Sequence, residues 1–252
     1  MLLQYCSDLH LEFPENKAFL KMRPLQPKAK ILVLAGDIVP FQALGKHMDF
    51  FNYVSDNFEE TYWIPGNHEY YGSDATERSG TFHERIKINV SLLNNMVVEE
   101  GNTRLVFTTL WSYISPRHQW DIERSLNDFS VIKFGGQRFR AAHVNQFHSE
   151  SIDLLQGVLA QKTTQKTLVV SHHVPTFFNY PEIYKDSELN EAFGTELFDL
   201  ISAADFAAWI YGHHHNNVAD FTIGNTSMVT NQLGYVRNNE HRSFSLEKTL
   251  VL

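Results

Sequence analysis

Short apolar runs punctuate the chain and mostly end in small or polar residues. Leu2–Cys6, Ile31–Ala35, Thr61–Ile64, Leu105–Leu110, Leu168–Ser171 and Ala207–Tyr211 are rich in Val, Ile, Leu and aromatic side chains. Runs of that length and content predict buried strands. Amphipathic segments lie between several of them. In Phe82–Leu93 the apolar residues Phe82, Ile86, Val90 and Leu93 recur at helical spacing, and in Phe147–Leu159 so do Phe147, Leu154, Leu155, Val158 and Leu159. Both segments are expected to be helices, and strand–helix alternation predicts an α/β layered fold with parallel strands. After Gly212 the helical pattern fades. Asn217–Ile223 and Ser227–Thr230 read as strands about a Gly224-Asn225 turn, so the C-terminal part should add an antiparallel pair to a sheet. The stretch 174–191 breaks the alternation with Pro175, Phe177, Phe178, Tyr180, Pro181 and Tyr184, and is expected to be a loop insertion able to act as a lid. No repeat or linker divides the chain, so residues 1–252 are expected to form a single domain.

Composition narrows the classes. A chain of 252 residues with 43% apolar and 20% charged residues can bury a full core, which excludes a disordered or fibrous protein. The formal net charge of -8 disfavours broad nucleic-acid binding. Cys6 is the one cysteine, so no internal disulfide is possible. Asp8 and His10 interrupt the N-terminal apolar run, and no stretch is long enough to span a bilayer. These features lead to the expectation of a cytoplasmic protein with no membrane partner.

Histidine changes the picture, because the chain has 13 and histidine is the commonest metal ligand. Several lie in five motifs at the ends of apolar runs: Ser7-Asp8-Leu9-His10, Gly36-Asp37, Gly66-Asn67-His68-Glu69, Ser171-His172-His173 and Gly212-His213-His214-His215. An α/β sheet places its ligands just beyond the carboxyl ends of its strands. Singly, each motif reads equally as a polar turn. Together they offer carboxylate, carboxamide and imidazole donors without thiolate, a set that suits Mn, Fe or Zn and argues against a purely structural zinc site.

In that order the motifs resemble the calcineurin-like metallophosphoesterase superfamily: Asp-x-His, Gly-Asp, Gly-Asn-His-Asp/Glu, a later His and Gly-His-x-His, running here from Asp8 to His215. The resemblance implies a four-layer αββα sandwich with mixed sheets, two divalent or trivalent ions, and hydrolysis of a small phosphodiester or phosphomonoester by a metal-bridging hydroxide. It also implies roles for single residues. Asp8, His10 and His215 would hold one ion, and Asn67, His172 and His213 the other. Asp37 would bridge the two. His68 would stand beside them as acid or phosphate contact, polarised by Glu69 or Asp37. His172 is preferred to His173, and His214 receives no role.

Departures from the pattern of particular branches narrow the reading. Pro40 stands where purple acid phosphatases carry a tyrosine, and Ile38-Val39-Pro40-Phe41 replaces the Asp-Arg-Gly signature of Ser/Thr protein phosphatases. The lipid-A-pathway hydrolases have Arg where His68 stands. Repair nucleases carry a further capping domain for which little chain remains. Small bacterial phosphodiesterases and phosphatases are the nearest match. Trp111, Phe177 and Tyr180 are candidate substrate contacts at the site mouth. The alternative from another class is a catalytically silent scaffold of the same fold, the usual result of ligand loss. The sequence leaves the oligomeric state open.

Overall fold

A computed structural model describes all 252 residues, Met1–Leu252. The first sheet contains β1 (Leu2–Cys6), β2 (Ile31–Ala35), β3 (Glu60–Ile64), β4 (Phe82–Lys87) and β5 (Val90–Asn94). The chain then crosses to a second sheet through β6 (Met96–Glu100) and β7 (Thr103–Thr108). A two-strand ribbon, β8 (Lys133–Phe134) and β9 (Gln137–Arg138), follows before the second sheet resumes with β10 (Lys166–Ser171), β11 (Ala208–Tyr211), β12 (Phe221–Ile223) and β13 (Thr226–Thr230). Strand β14 (Thr249–Val251) returns to the first sheet.

The strand orders are β14-β1-β2-β3-β5-β4 and β12-β13-β11-β10-β7-β6. Each sheet has four parallel strands at its centre and one antiparallel strand on each edge. The central strands are buried on both faces, which is why they read as unbroken apolar runs rather than as alternating ones. Along β2, Val33 and Ala35 point into the layer between the sheets, with Tyr5, Phe107, Val170 and Ile210. Leu32 and Leu34 point outward, into a cluster with Phe51 and Val54 of α2 (Met48–Asn57) and Leu20 of α1 (Pro14–Met22). On the far side, Val106, Val169 and Trp209 pack with Leu155 and Val158 of the long helix Ala141–Ala160, and with Ile201 of the short helix Phe198–Ala203. The result is a single α/β domain of four layers, αββα. No helix is long and apolar enough to cross a membrane.

Two local expectations need correction. Phe82–Leu93 is a hairpin of β4 and β5 rather than a helix. A spacing of four keeps residues on one side of a strand as well as near one face of a helix, so Phe82 and Ile86 satisfy both periods, while Val90 already belongs to the returning strand. The deciding signal is the alternation of half-buried and exposed positions through Phe82-His83-Glu84-Arg85-Ile86. Trp111 does not reach the site mouth. It is buried among Tyr70, Phe139, Phe147 and His173, so it is a core residue. The predicted strand Asn217–Ile223 shortens to Phe221–Ile223, and it pairs antiparallel with β13 as expected.

Candidate metal centre

All five motifs follow the carboxyl ends of parallel strands: β1, β2 and β3 of one sheet, β10 and β11 of the other. The two sheets therefore deliver their loops to one place. The turns are sharp. Asp8, His10, Asp37, His213 and His215 all have positive φ, between 46° and 81°. Two glycines permit the close approach. A side chain on Gly36, at φ 88°, would put Cβ 2.3 Å from His172 Nδ1, and one on Gly66 would put it 2.2 Å from Asp37 Oδ1.

Three groups of potential ligands result, with the donor atoms of each within 4.8 Å of one another: His10, Glu12 and His68 form one, and the other two are Asp8, His10, Asp37 and His215, and Asp37, His172 and His213. The last two share a residue. Asp37 belongs to both. Its Oδ1 lies 3.4 Å from His172 Nε2, and its Oδ2 lies 3.6 Å from His10 Nε2. The Nε2 atoms of His10 and His215 are 2.9 Å apart, and His172 Nε2 lies 3.1 Å from His213 Nδ1. Nitrogens gathered this closely, beside carboxylates, need a proton or a cation between them.

The far side of three of these rings is secured. His172 Nδ1 faces the Ala35 carbonyl at 2.9 Å, His215 Nδ1 faces Glu240 Oε2 at 2.8 Å, and His10 Nδ1 faces Glu12 Oε1 at 3.1 Å. An oxygen acceptor at Nδ1 keeps a proton there and turns Nε2 toward the site, where it becomes a free donor once a metal displaces its proton, the usual outer arrangement of metal-ligating imidazoles. Asn67 is oriented in the same way. Its Nδ2 donates to Asp128 Oδ1 at 3.0 Å, and Tyr71 donates to that same oxygen at 2.6 Å. The Asn67 Oδ1 is then buried with no hydrogen-bond partner. A buried acceptor without a donor is costly unless a cation takes that place. The donor set therefore fits a pair of ions.

His68 stands at the edge of this cluster. Its ring stacks on Tyr71 at 4.0 Å, its Nδ1 meets Glu12 Oε1 at 3.0 Å, and its backbone N–H donates to Asp37 Oδ1 at 2.9 Å. Burial opposes the imidazolium, but the charges of Asp37 and Glu12 outweigh it and raise the His68 pKa. The acid beside its ring is thus Glu12. Glu69 points the other way, into a buried cage of N–H donors. Gly66 at 2.6 Å and Asp37 at 2.9 Å donate to Oε2, and Ile38 at 2.7 Å, Val39 at 3.4 Å and the Trp63 indole at 3.2 Å donate to Oε1. Burial, with the Asp37 charge beside it, raises the Glu69 pKa, but N–H donors on both oxygens leave no place for a proton and hold the group as the carboxylate.

A cavity of about 660 Å³ opens over the cluster, bordered by Asp37, Asn67, His68, His213 and His215. Tyr180 lines it, along with Tyr184, Ser187, Leu189 and Asn190 from the stretch 174–191 and its margin. Phe177 does not: its ring packs edge-on against Tyr180, 5.2 Å away, and against the core behind. His173 and His214 are both buried. His173 packs between Trp111 and His213, and His214 accepts from Gln232 at 3.0 Å. Glu12, Asp128 and Glu240 escaped the sequence reading. Glu12, two residues past His10, carried a faint signal, and the others come from distant loops with none.

A model of calcineurin-like phosphoesterases matches residues 4–217. The chain belongs to the calcineurin-like phosphoesterase family. An uncharacterized protein of Acanthamoeba polyphaga mimivirus is 31% identical over 266 residues, covering 94% of this chain and 93% of its own. Among solved structures, the phosphopantetheinyl hydrolase of Mycobacterium tuberculosis superposes with a TM-score of 0.71 at 18% identity, over 99% of this chain and 95% of that one. A dimetal phosphatase from Danio rerio gives 0.47 at 13% identity, over 92% and 87%, too distant to bear on the fold. The family is metal-dependent, and this member has a buried Asp/His cluster that could bind metal ions.

Two outcomes follow from the geometry. Glu69→Gln turns an amide NH2 toward N–H donors, so it should destabilise the fold by about 2–4 kcal/mol in denaturant titration; a change near zero would show that the cage is not needed. Metal uptake should release protons. Burial alone would lower the basicity of His172 and His215, but Asp37 raises the first to about 9, and Asp8 with Glu240 raises the second to about 10. Both rings are then protonated at pH 7 without metal, and full loading should expel about two protons per chain. Apparent affinity should fall as pH drops. Calorimetry in buffers of different ionisation enthalpy measures the release, and buffer-independent heats would refute it.

Proposed function

We propose that this protein is a dimetal phosphoesterase acting on a small phosphodiester or phosphomonoester. The observation that carries the reading is the Asp37 carboxylate shared between two ligand groups, with the unpartnered Asn67 oxygen beside one of them. In this reading Asp8, His10 and His215 hold one ion, Asn67, His172 and His213 the other, and Asp37 both. Manganese, iron and zinc all accept such a mixture of oxygen and nitrogen donors. When bound, the ions lower the pKa of a water and neutralise charge on the phosphate oxygens.

The chain's own residues supply the rest. Asp8 is fixed by hydrogen bonds from the His213 backbone N–H, at 3.1 and 3.2 Å, and from the Ser7 hydroxyl, so its lone pairs point where a cation would sit. His68 is held by Glu12 through Nδ1 and keeps Nε2 toward the cavity, 3.5 Å from the Tyr235 hydroxyl. Against the cost of burial, the Asp37 and Glu12 charges raise the His68 pKa and so favour the protonated ring, the form suited to donation to the departing alkoxide. The cavity is far larger than a phosphate, so its outer walls receive the organic group. The stretch 174–191, through Tyr180 and Tyr184, serves as the lid over that group.

The test is turnover of aryl and alkyl phosphomonoesters and bis-aryl phosphodiesters by manganese-loaded protein. Asp37→Asn should lower kcat/KM by roughly a thousandfold. His68→Ala should lower kcat on alkyl phosphates by about 10²–10⁴-fold and on 4-nitrophenyl phosphate much less, since nitrophenolate leaves without protonation. Metal content of the His68 variant should stay at the wild-type level. Equal activity of wild type and Asp37→Asn would overturn the reading.

A further inference from the structure

The cavity over the metal centre is lined by 21 residues, and Arg237 is the only lysine or arginine among them. Arg78, Arg104 and Arg140 each pair with a glutamate, and Arg138 donates to two backbone carbonyls. The Arg237 guanidinium has no such partner. It lies over the faces of two rings instead, 5.0 Å from the centre of Phe13 and 5.5 Å from that of Tyr235. Stacking of this kind holds the guanidinium plane in position while leaving its N–H edge free.

The two rings fix where that edge lies. Tyr235 packs against His215 and His10, at 4.5 and 4.9 Å between centroids, and Phe13 packs against His10 at 5.9 Å. Arg237 therefore sits one aromatic ring beyond the ligand imidazoles, too far out to hold the phosphorus being attacked. Asp37, Asp128 and Glu240 supply negative charge to the walls, and Ser125, Asn127, Ser187 and Asn190 supply neutral polar groups. An anion in the outer cavity has one cationic side chain to meet there, and a planar fork of N–H donors matches a phosphate bidentately.

From this arrangement we propose that Arg237 is a specificity residue for substrates carrying a second phosphate beyond the scissile one. This deepens the phosphoesterase reading and rests on it. The substrate class is an organic bisphosphate whose distal group reaches past Tyr235, while the scissile group lies against Asp37, Asn67 and His68.

The experiment compares ethane-, butane- and hexanediol bisphosphates with the matching monophosphates, by phosphate release from manganese-loaded wild type, Arg237→Ala and Arg237→Lys. Wild type should prefer the bisphosphate at one chain length by about tenfold or more in kcat/KM. Arg237→Ala should abolish that preference and leave the monophosphates and 4-nitrophenyl phosphate within about twofold of wild type; Arg237→Lys, which keeps the charge without the fork, should fall between. Binding of alkane bisphosphonates, which cannot be hydrolysed, should weaken in parallel relative to monophosphonates. No preference at any length, or a preference that survives in Arg237→Ala, overturns this inference alone. Absence of turnover on every phosphoester overturns the phosphoesterase reading and this inference with it.

Discussion

The buried carboxylate of Glu69 joins two loops on which the metal centre depends. One oxygen binds the backbone N–H of Asp37, after β2, and of Gly66, after β3. The other binds Ile38, Val39 and the Trp63 indole. The parallel pairing of β2 with β3 brings the loops side by side, and Glu69 sets their depth and angle. Asp37 then holds the His68 backbone N–H in return. The Asp37 side chain and the turn that carries Asn67 are thus placed by a network none of whose donors reaches solvent. In a low-dielectric setting such a network has high stakes: complete, it specifies one geometry, and incomplete, it leaves charge without a partner.

The sheets extend that constraint across the molecule. Each has the same plan, four parallel strands with an antiparallel strand at either edge, and both end at the same face. Ligands from β1, β2 and β3 meet ligands from β10 and β11 because the layer between the sheets is a continuous apolar seam from Leu3 to Val229. Packing in that seam decides the distance between Asp37 and His172, residues 135 positions apart in a chain whose binding geometry tolerates little movement.

Much of this could be read from sequence, for physical reasons. Strands buried on both faces leave continuous apolar runs, so Ile31–Ala35 and Leu168–Ser171 announce themselves. The α/β class follows from their alternation with helices, and the family from the order of the motifs. Phe82–Leu93 misleads because spacing by four serves two periodicities. Trp111 misleads because position after a strand does not reveal which way a side chain turns. The partners Glu12, Asp128 and Glu240 were hidden for a deeper reason: orientation of a ligand ring is a property of three-dimensional contact, and an isolated acid in a loop carries no mark of what it will face. The same holds for Arg237, whose meaning depends on the two rings beneath it.

The left-handed turns at Asp8, His10, Asp37, His213 and His215 have an evolutionary consequence. Each non-glycine residue in that conformation costs on the order of 1 kcal/mol. Without ions, glycine at any of the five would relax the backbone, so this strain by itself favours ligand loss. What opposes it is the free energy of ion binding, available only while metal is present. The backbone relief is not the whole balance, because Asp8 and Asp37 also accept from the buried His213 and His68 N–H groups, so ligand loss without metal trades turn strain against orphaned donors.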